Sequence, residues 1–282
     1  MQSELAKLQE HQRAVCRFLP AHKRAVVERH YAGLAQKLRR FHTKPAKRAV
    51  LCGSNYPGTP YRLNGCLNDV ANIGILLRSY VYTNITTLTD KTAAKPTARN
   101  ILAAFTRLLQ TSNEGDTLYF HFSGHGSFEA GAYEQDDLLI GSDLVSIKDD
   151  ILKNILRAYL KPKTRLFAVF DNCFSGTQLD LRYNYLSTDN QPQVDTTKDD
   201  TKGYVIMFSG CSDQQTSADA FINGRYCGAM SHVFQQLFSP KKPITFRNCL
   251  VQMRQLLAAK GFDQVPQLQS GLPLNIDSLV QF

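Results

Sequence analysis

Two residues of this chain have the types and the settings for covalent chemistry. His125 stands in Ser123-Gly124-His125-Gly126-Ser127, and Cys173 stands in Asp171-Asn172-Cys173-Phe174-Ser175-Gly176. A thiol with a pKa near 8.5 is mostly protonated at neutral pH. An adjacent imidazole that takes its proton leaves a nucleophilic thiolate. Each residue follows an apolar stretch, DTLYFHF or TRLFAVF, that reads as a buried strand. Sites in open α/β sheets form at the carboxyl ends of strands, so neighbouring strands would deliver both side chains to one edge. Flanking glycines let a substrate carbonyl approach the backbone, where the amides of Gly126 and Cys173 are candidate oxyanion donors. A core histidine and a core cysteine is the plainer reading of either residue alone. The matching Gly/Ser turns, roughly 50 residues apart with histidine first, favour a dyad.

The elements around these turns alternate. RAVLC (48–52) reads as a strand, LNDVANIGILLRSY (67–80) as a helix, NITTLTD (84–90) as a strand, and 96–109 as a helix with Pro96 near its start. Strand 116–122 follows, then helix 149–159 with two acids at its start, strand 164–170 and strand 204–209. Helices are expected at 228–237 and 245–260, with LPLNI (272–276) as an edge strand. Strands alternating with helices predict a three-layer α/β/α sandwich on a mostly parallel central sheet. Ser187–Lys202 breaks the rhythm. It is polar, carries Pro192, and has Val194 as its only aliphatic residue, so it is expected to be an exposed linker loop. The expected organisation is a basic helical arm over 1–47 and a catalytic domain over 48–282, divided into 48–186, the linker 187–203, and 204–282.

Charge is unevenly placed. Residues 1–48 hold 12 Lys/Arg against three acids, which is the whole net charge of +9. Leu5, Leu8, Val15, Phe18 and Leu19 fall near a helical period, giving the arm an apolar face. A basic arm invites contact with nucleic acid or an anionic surface, but only Phe18, Tyr31 and Phe41 could stack on bases. A solvated helical extension is the favoured reading. The seven cysteines have no CxxC spacing, and no stretch reads as a membrane span or a signal peptide. A reduced, cytoplasmic, monomeric protein is therefore expected.

The phrases YFHFSGHGS and AVFDNCFSGTQLDL resemble the histidine and cysteine motifs of metacaspases, as do RAVLCGSNYPGTPYRLNGCLNDV, FSGCSDQQTSADA and GAMSHVF. The resemblance runs from about Arg48 to Ser270. It implies the caspase–haemoglobinase fold and a cysteine endopeptidase that cuts protein substrates after Lys or Arg. On the same basis Asp69, Ser123 and Asp171 line the S1 pocket, with Cys66 beside them. A partly desolvated carboxylate at a strand end suits a P1 cation. The resemblance further implies activation by Ca2+, with ligands at Asp136, Asp149, Asp150 and Asp180. The acidic run before Asp136 is thin here, and Phe174 replaces the histidine common after the nucleophile. Lys198 and Lys202 in the polar stretch are expected self-cleavage points. The competing reading is an inactive binding module that docks a partner through its arm.

Overall fold

The computed structural model describes the chain except residues 1, 43–44, 131–134, 173–177, 187–190, 211–218 and 223. The chain divides into two compact units, Met1–Pro45 and Ala46–Phe282. The first holds helices α1 (Gln2–Arg17) and α2 (Ala21–His42), which pack on each other and are tied by Tyr31 Oη to His11 Nδ1 at 2.9 Å.

The second unit is built on apolar runs that sheet pairing buries on both faces. In chain order it holds β1 (Lys47–Gly53), α3 (Cys66–Ser79), β2 (Asn84–Thr89), α4 (Ala98–Gln110) and β3 (Thr117–Ser123). Then come β4 (Gly126–Ala130), β5 (Gln135–Ile140), β6 (Ser146–Lys148), α5 (Asp149–Tyr159) and β7 (Arg165–Asp171). The remainder is β8 (Tyr183–Asn184), β9 (Gln193–Val194), β10 (Tyr204–Ser209), β11 (Asp219–Ile222), β12 (Arg225–Gly228), α6 (Ala229–Phe238), α7 (Phe246–Ala259) and β13 (Gln267–Ser270). The main sheet runs β2-β1-β3-β7-β10-β13-β8-β9. Its first five strands are parallel and the last three pairings antiparallel.

Each face of the sheet has its own core. Leu51, Tyr119, Phe167 and Phe208 meet residues of α3, α6 and α7 on one side. Val50, Phe120, Phe170 and Met207 meet α4 and α5 on the other. That is the expected three-layer sandwich. Alternation along the central strands assigns every second side chain to each layer.

Two expectations need correction. LPLNI forms no strand. The last strand is Gln267–Ser270, just upstream, where antiparallel pairing with β10 and β8 is available. The polar stretch is no free loop where it is described, because Gln193–Val194 pairs with β8 at the sheet edge. A separate three-stranded sheet, β4-β5-β6, and the hairpin β11-β12 also form. Their short, mixed sequences carry no alternating pattern.

Candidate active site

The register of three parallel strands sets the site. Gly53 of β1 pairs with Ser123 of β3, and Ser123 pairs with Asp171 of β7, so their carboxyl ends finish level. His125 lies two residues beyond the end of β3 and is half-buried. Cys173 lies two residues beyond the end of β7, outside the described residues.

His125 is held on several sides. Its backbone N–H donates to Tyr56 Oη at 2.8 Å, and Tyr56 Oη donates in turn to the Ile140 carbonyl at 2.7 Å. The Tyr56 ring lies 4.7 Å from the imidazole, centroid to centroid. Tyr56 is fully buried with φ 48, and burial pushes its phenol well above the ordinary value, so the hydroxyl keeps its proton to donate. His125 Nε2 sits 2.6 Å from the Tyr61 carbonyl oxygen. A carbonyl only accepts, so Nε2 carries the proton and Nδ1 is left as an acceptor. The loop that supplies Tyr56 and Tyr61 is fastened by Asp90, which accepts from Ser54 Oγ at 2.8 Å and from Asn55 N–H at 2.6 Å.

Beside the histidine, two carboxylates flank one glycine. Asp69 lies in the first turn of α3 and is 1% exposed. It accepts from Ser123 Oγ at 2.7 Å and from the Gly228 N–H, 3.0 Å from each oxygen. Asp171, 2% exposed, accepts from the Ser231 N–H at 2.8 Å. A Cβ on Gly228 would stand 2.1 Å from Asp171 Oδ2 and 2.9 Å from Asp69 Oδ2, so only glycine fits between the two acids. Asp69, Ser123 and Asp171 therefore share one place, and Asp69 is more than a helix-terminal acid. Cys66 opens α3 and is buried. Gly126 opens β4, opposite Leu139.

Sequence reasoning missed Tyr56, Tyr61, Gly228 and Ser231. The signals were the breaker-rich GSNYPGTPYRLNG, which holds Tyr56 and Tyr61, and GAMSHVF, which holds Gly228 and Ser231. Sequence reasoning also passed over His121. It is fully buried in the middle of β3, and neither ring nitrogen has a hydrogen-bond partner among the described residues. Burial pulls its imidazole down to about 3, so it is neutral. Of the other cysteines, burial raises Cys249 to about 12 and pushes Cys52 still further up. Neither is a thiolate at neutral pH.

The implied calcium ligands gather only in part. Asp149 and Asp150 open α5. Asp149 accepts from the Asp150 N–H at 2.7 Å and from the Asp137 N–H at 3.3 Å. Burial, then the nearby Asp137 and Asp180, raise Asp149 to about 6, against backbone hydrogen bonds that lower it. The buried acid next to Asp149 is thus Asp137, whereas the side chain of Asp136 lies outside the described residues. Asp180 is ion-paired to both Lys153 and Lys198. Among the described residues no three His, Cys, Asp or Glu side chains converge as a ligand group. Among the described residues, these acids form no cation site while Lys153 and Lys198 hold Asp180.

Comparison with known proteins settles the lineage. Residues 47–182 match the family described as metacaspase, peptidase C14 domain. Metacaspase-1 of Mycosarcoma maydis is 33% identical, over 83% of this chain and 72% of its own. The chain belongs to the metacaspase family. A second metacaspase relative, from Trypanosoma brucei brucei, is named inactive metacaspase-4 and is 31% identical over 83% of this chain and 74% of its own. Protein GSU0716 from Geobacter sulfurreducens has a similar fold, with TM-score 0.62, 20% identity, and coverage of 84% of this chain and 100% of that one. The sandwich is thus the caspase-like α/β fold, and membership implies cysteine-type peptidase chemistry on protein substrates. No helix among the described residues of this metacaspase is long and apolar enough to cross a membrane.

Proposed function

We propose that this metacaspase is a cysteine endopeptidase that cuts peptide bonds after Lys or Arg, with His125 and Cys173 as its dyad. The observation that carries the reading is His125 at the end of β3. The Tyr61 carbonyl fixes its tautomer, and it stands beside the strand that leads to Cys173. Nδ1 takes the Cys173 proton and the thiolate adds to the scissile carbonyl. The amides of Gly126 and Cys173 take up the charge on its oxygen. The imidazolium then protonates the leaving amine, and a water, deprotonated by the same nitrogen, releases the acid from the thioester.

Basic specificity is supported by the two buried carboxylates that flank Gly228. A guanidinium or ammonium there gains charge-assisted hydrogen bonds, whereas an Asp side chain would meet like charge. The test is hydrolysis of fluorogenic peptides ending in Arg, Lys or Asp by the parent and by Cys173→Ala. Cutting after Arg and Lys only, lost in Cys173→Ala, is expected. Equal cutting by both proteins would sink the assignment. The second reading, a binding module without catalysis, is raised by the relative named inactive; it predicts no hydrolysis of any of the three.

Calcium stimulation enters the proposal in one form. A cation can use Asp180 only after Lys153 and Lys198 release it, so calcium should act weakly, in the millimolar range. Titration followed by Tm and by hydrolysis checks this. Saturation at submicromolar calcium would contradict it.

A further inference from the structure

The described part of the polar stretch is a strap held almost wholly by polar contacts. β9 pairs with β8, Tyr183 opposite Val194 and Asn184 opposite Gln193. The Asp195 N–H then donates to the Arg182 carbonyl at 2.9 Å, and the Asp195 carboxylate accepts from Thr197 N–H and Oγ1, closing a tight turn. The turn aims Lys198 inward. Its ammonium pairs with Asp180, and with Asp195 at 3.2 Å, and its side chain is only 11% exposed. The other Asp180 oxygen takes Lys153 of α5. Further along, Asp199 pairs with Arg157 at 3.0 Å, and Asp200 accepts from Tyr183 Oη at 2.9 Å. The Thr201 N–H donates to the Gly271 carbonyl, and Lys202 Nζ donates to the Arg157 carbonyl, each at 2.9 Å.

Beside residues 199–202 lies a cavity of about 340 Å³, lined also by Lys153, Leu156, Leu179, Asp180 and Leu181. The last part of the strap therefore borders a space. The strap's one aliphatic residue, Val194, is 43% exposed. The strap's own side chains bury little apolar surface, so its polar ties are what fasten it. Those ties are unequal. Arg157–Asp199 is solvent-exposed on both sides and contributes little. Lys198–Asp180 is largely withdrawn from water, and removing Asp180 leaves the Lys198 ammonium with Asp195 alone.

We propose that the Lys198–Asp180 ion pair is a latch that closes strap 193–202 over α5 and withholds the Lys198–Asp199 peptide bond from cleavage until it opens. The reason is geometric. A peptidase that selects lysine must take the P1 ammonium into its own carboxylate pocket, and this ammonium cannot be in two carboxylate sites at once. The exposed linker expected from composition is thus a closed one, and Lys198 is guarded while the latch holds. The link to this chain's own processing rests on the Lys/Arg reading above; the latch itself does not, because any lysine-directed protease reads it.

The test uses the full chain with Cys173→Ala, in EDTA, under limited trypsin digestion followed by intact mass. Cleavage after Lys198 should be slow in that parent and at least tenfold faster once Asp180→Asn is added. Asp195→Asn, which leaves Asp180 in place, should give a smaller rise and serves if the first variant folds poorly. Lys153→Met should leave the rate near the parent's, because Lys198 then has Asp180 to itself. Equal rates after Lys198 in the parent, Asp180→Asn and Asp195→Asn would overturn the latch. With Cys173 intact, fast tryptic nicking of Asp180→Asn without self-cleavage would support the latch and count against the peptidase reading.

Discussion

At the scale of single residues, His125 is held by neighbours that take no part in the proposed chemistry. Tyr56 Oη accepts from the His125 N–H and donates to the Ile140 carbonyl, so one hydroxyl ties the histidine turn to β5. Tyr56→Phe keeps the ring against the imidazole but orphans a donor and an acceptor. A stability loss of about 1–3 kcal/mol is expected. kcat should fall about tenfold with KM nearly unchanged, since substrate contacts stay in place. Steady-state kinetics with an Arg peptide, beside urea unfolding, checks both; a raised KM at constant kcat would assign Tyr56 to substrate binding. Asp69 is the complementary case. Asp69→Asn keeps the shape and an oxygen for Ser123 but loses the charge. Buried charge partners cost about 3–5 kcal/mol to remove, so kcat/KM for Arg peptides should fall by roughly two orders of magnitude or more. An unchanged kcat/KM would put the P1 pocket elsewhere.

At the scale of elements, β3 does two jobs. It delivers His125 at its end, and it carries His121 through its middle, opposite Leu51 and Val169. Held near 3 in the fold against 6.5 in a free chain, this imidazole is neutral when folded and binds a proton on unfolding. The unfolded state binds more protons between those values, so stability is fully present above pH 6.5 and is lost as pH falls toward 3. From pH 7.5 to 5 the loss from this group is about 2 kcal/mol. Unfolding of His121→Phe in urea at both pH values should show a correspondingly smaller loss; parallel curves for the two proteins would contradict it. The same strand shows what the sequence made legible. DTLYFHF, TRLFAVF and YVIMFS are nearly all apolar, because a parallel strand covered on both faces has no polar side to show. Their order placed both motifs at neighbouring strand ends. The short strands β4, β5, β9 and β11 were not legible, because their cross-strand pairing makes them, not a pattern of their own. For the same reason composition made residues 193–202 a loop: partners such as Asp180 and Arg157 become visible only once folding brings them near.

At the scale of the molecule, the second unit closes on itself. Its two hydrophobic cores, among the described residues, draw only on residues from Ala49 onward. Its entry is anchored within the unit, where the Ala46 N–H donates to Asp116 Oδ1 at 2.8 Å and Lys47 Nζ to the Tyr80 and Phe282 carbonyls at 3.1 and 3.0 Å. Its last residue, Phe282, packs against the rings of Tyr80, Tyr119, Phe167, Phe234 and Phe238. Both ends of the unit are thus tied to its own body. The first unit, in contrast, carries 10 Lys/Arg against three acids over residues 1–45. It contributes most of the positive charge and none of the described core. These facts separate stability from charge. Residues 46–282 expressed alone should fold, with a Tm within a few degrees of the full chain and the same kcat/KM on Arg peptides. Binding to a cation-exchange or heparin matrix should weaken sharply, because the remaining body is near neutral. Differential scanning calorimetry, peptide kinetics and salt elution read the three quantities separately. A truncated protein that aggregates or melts far below the full chain would show that the basic helices are part of the fold's stability and not an appended charge.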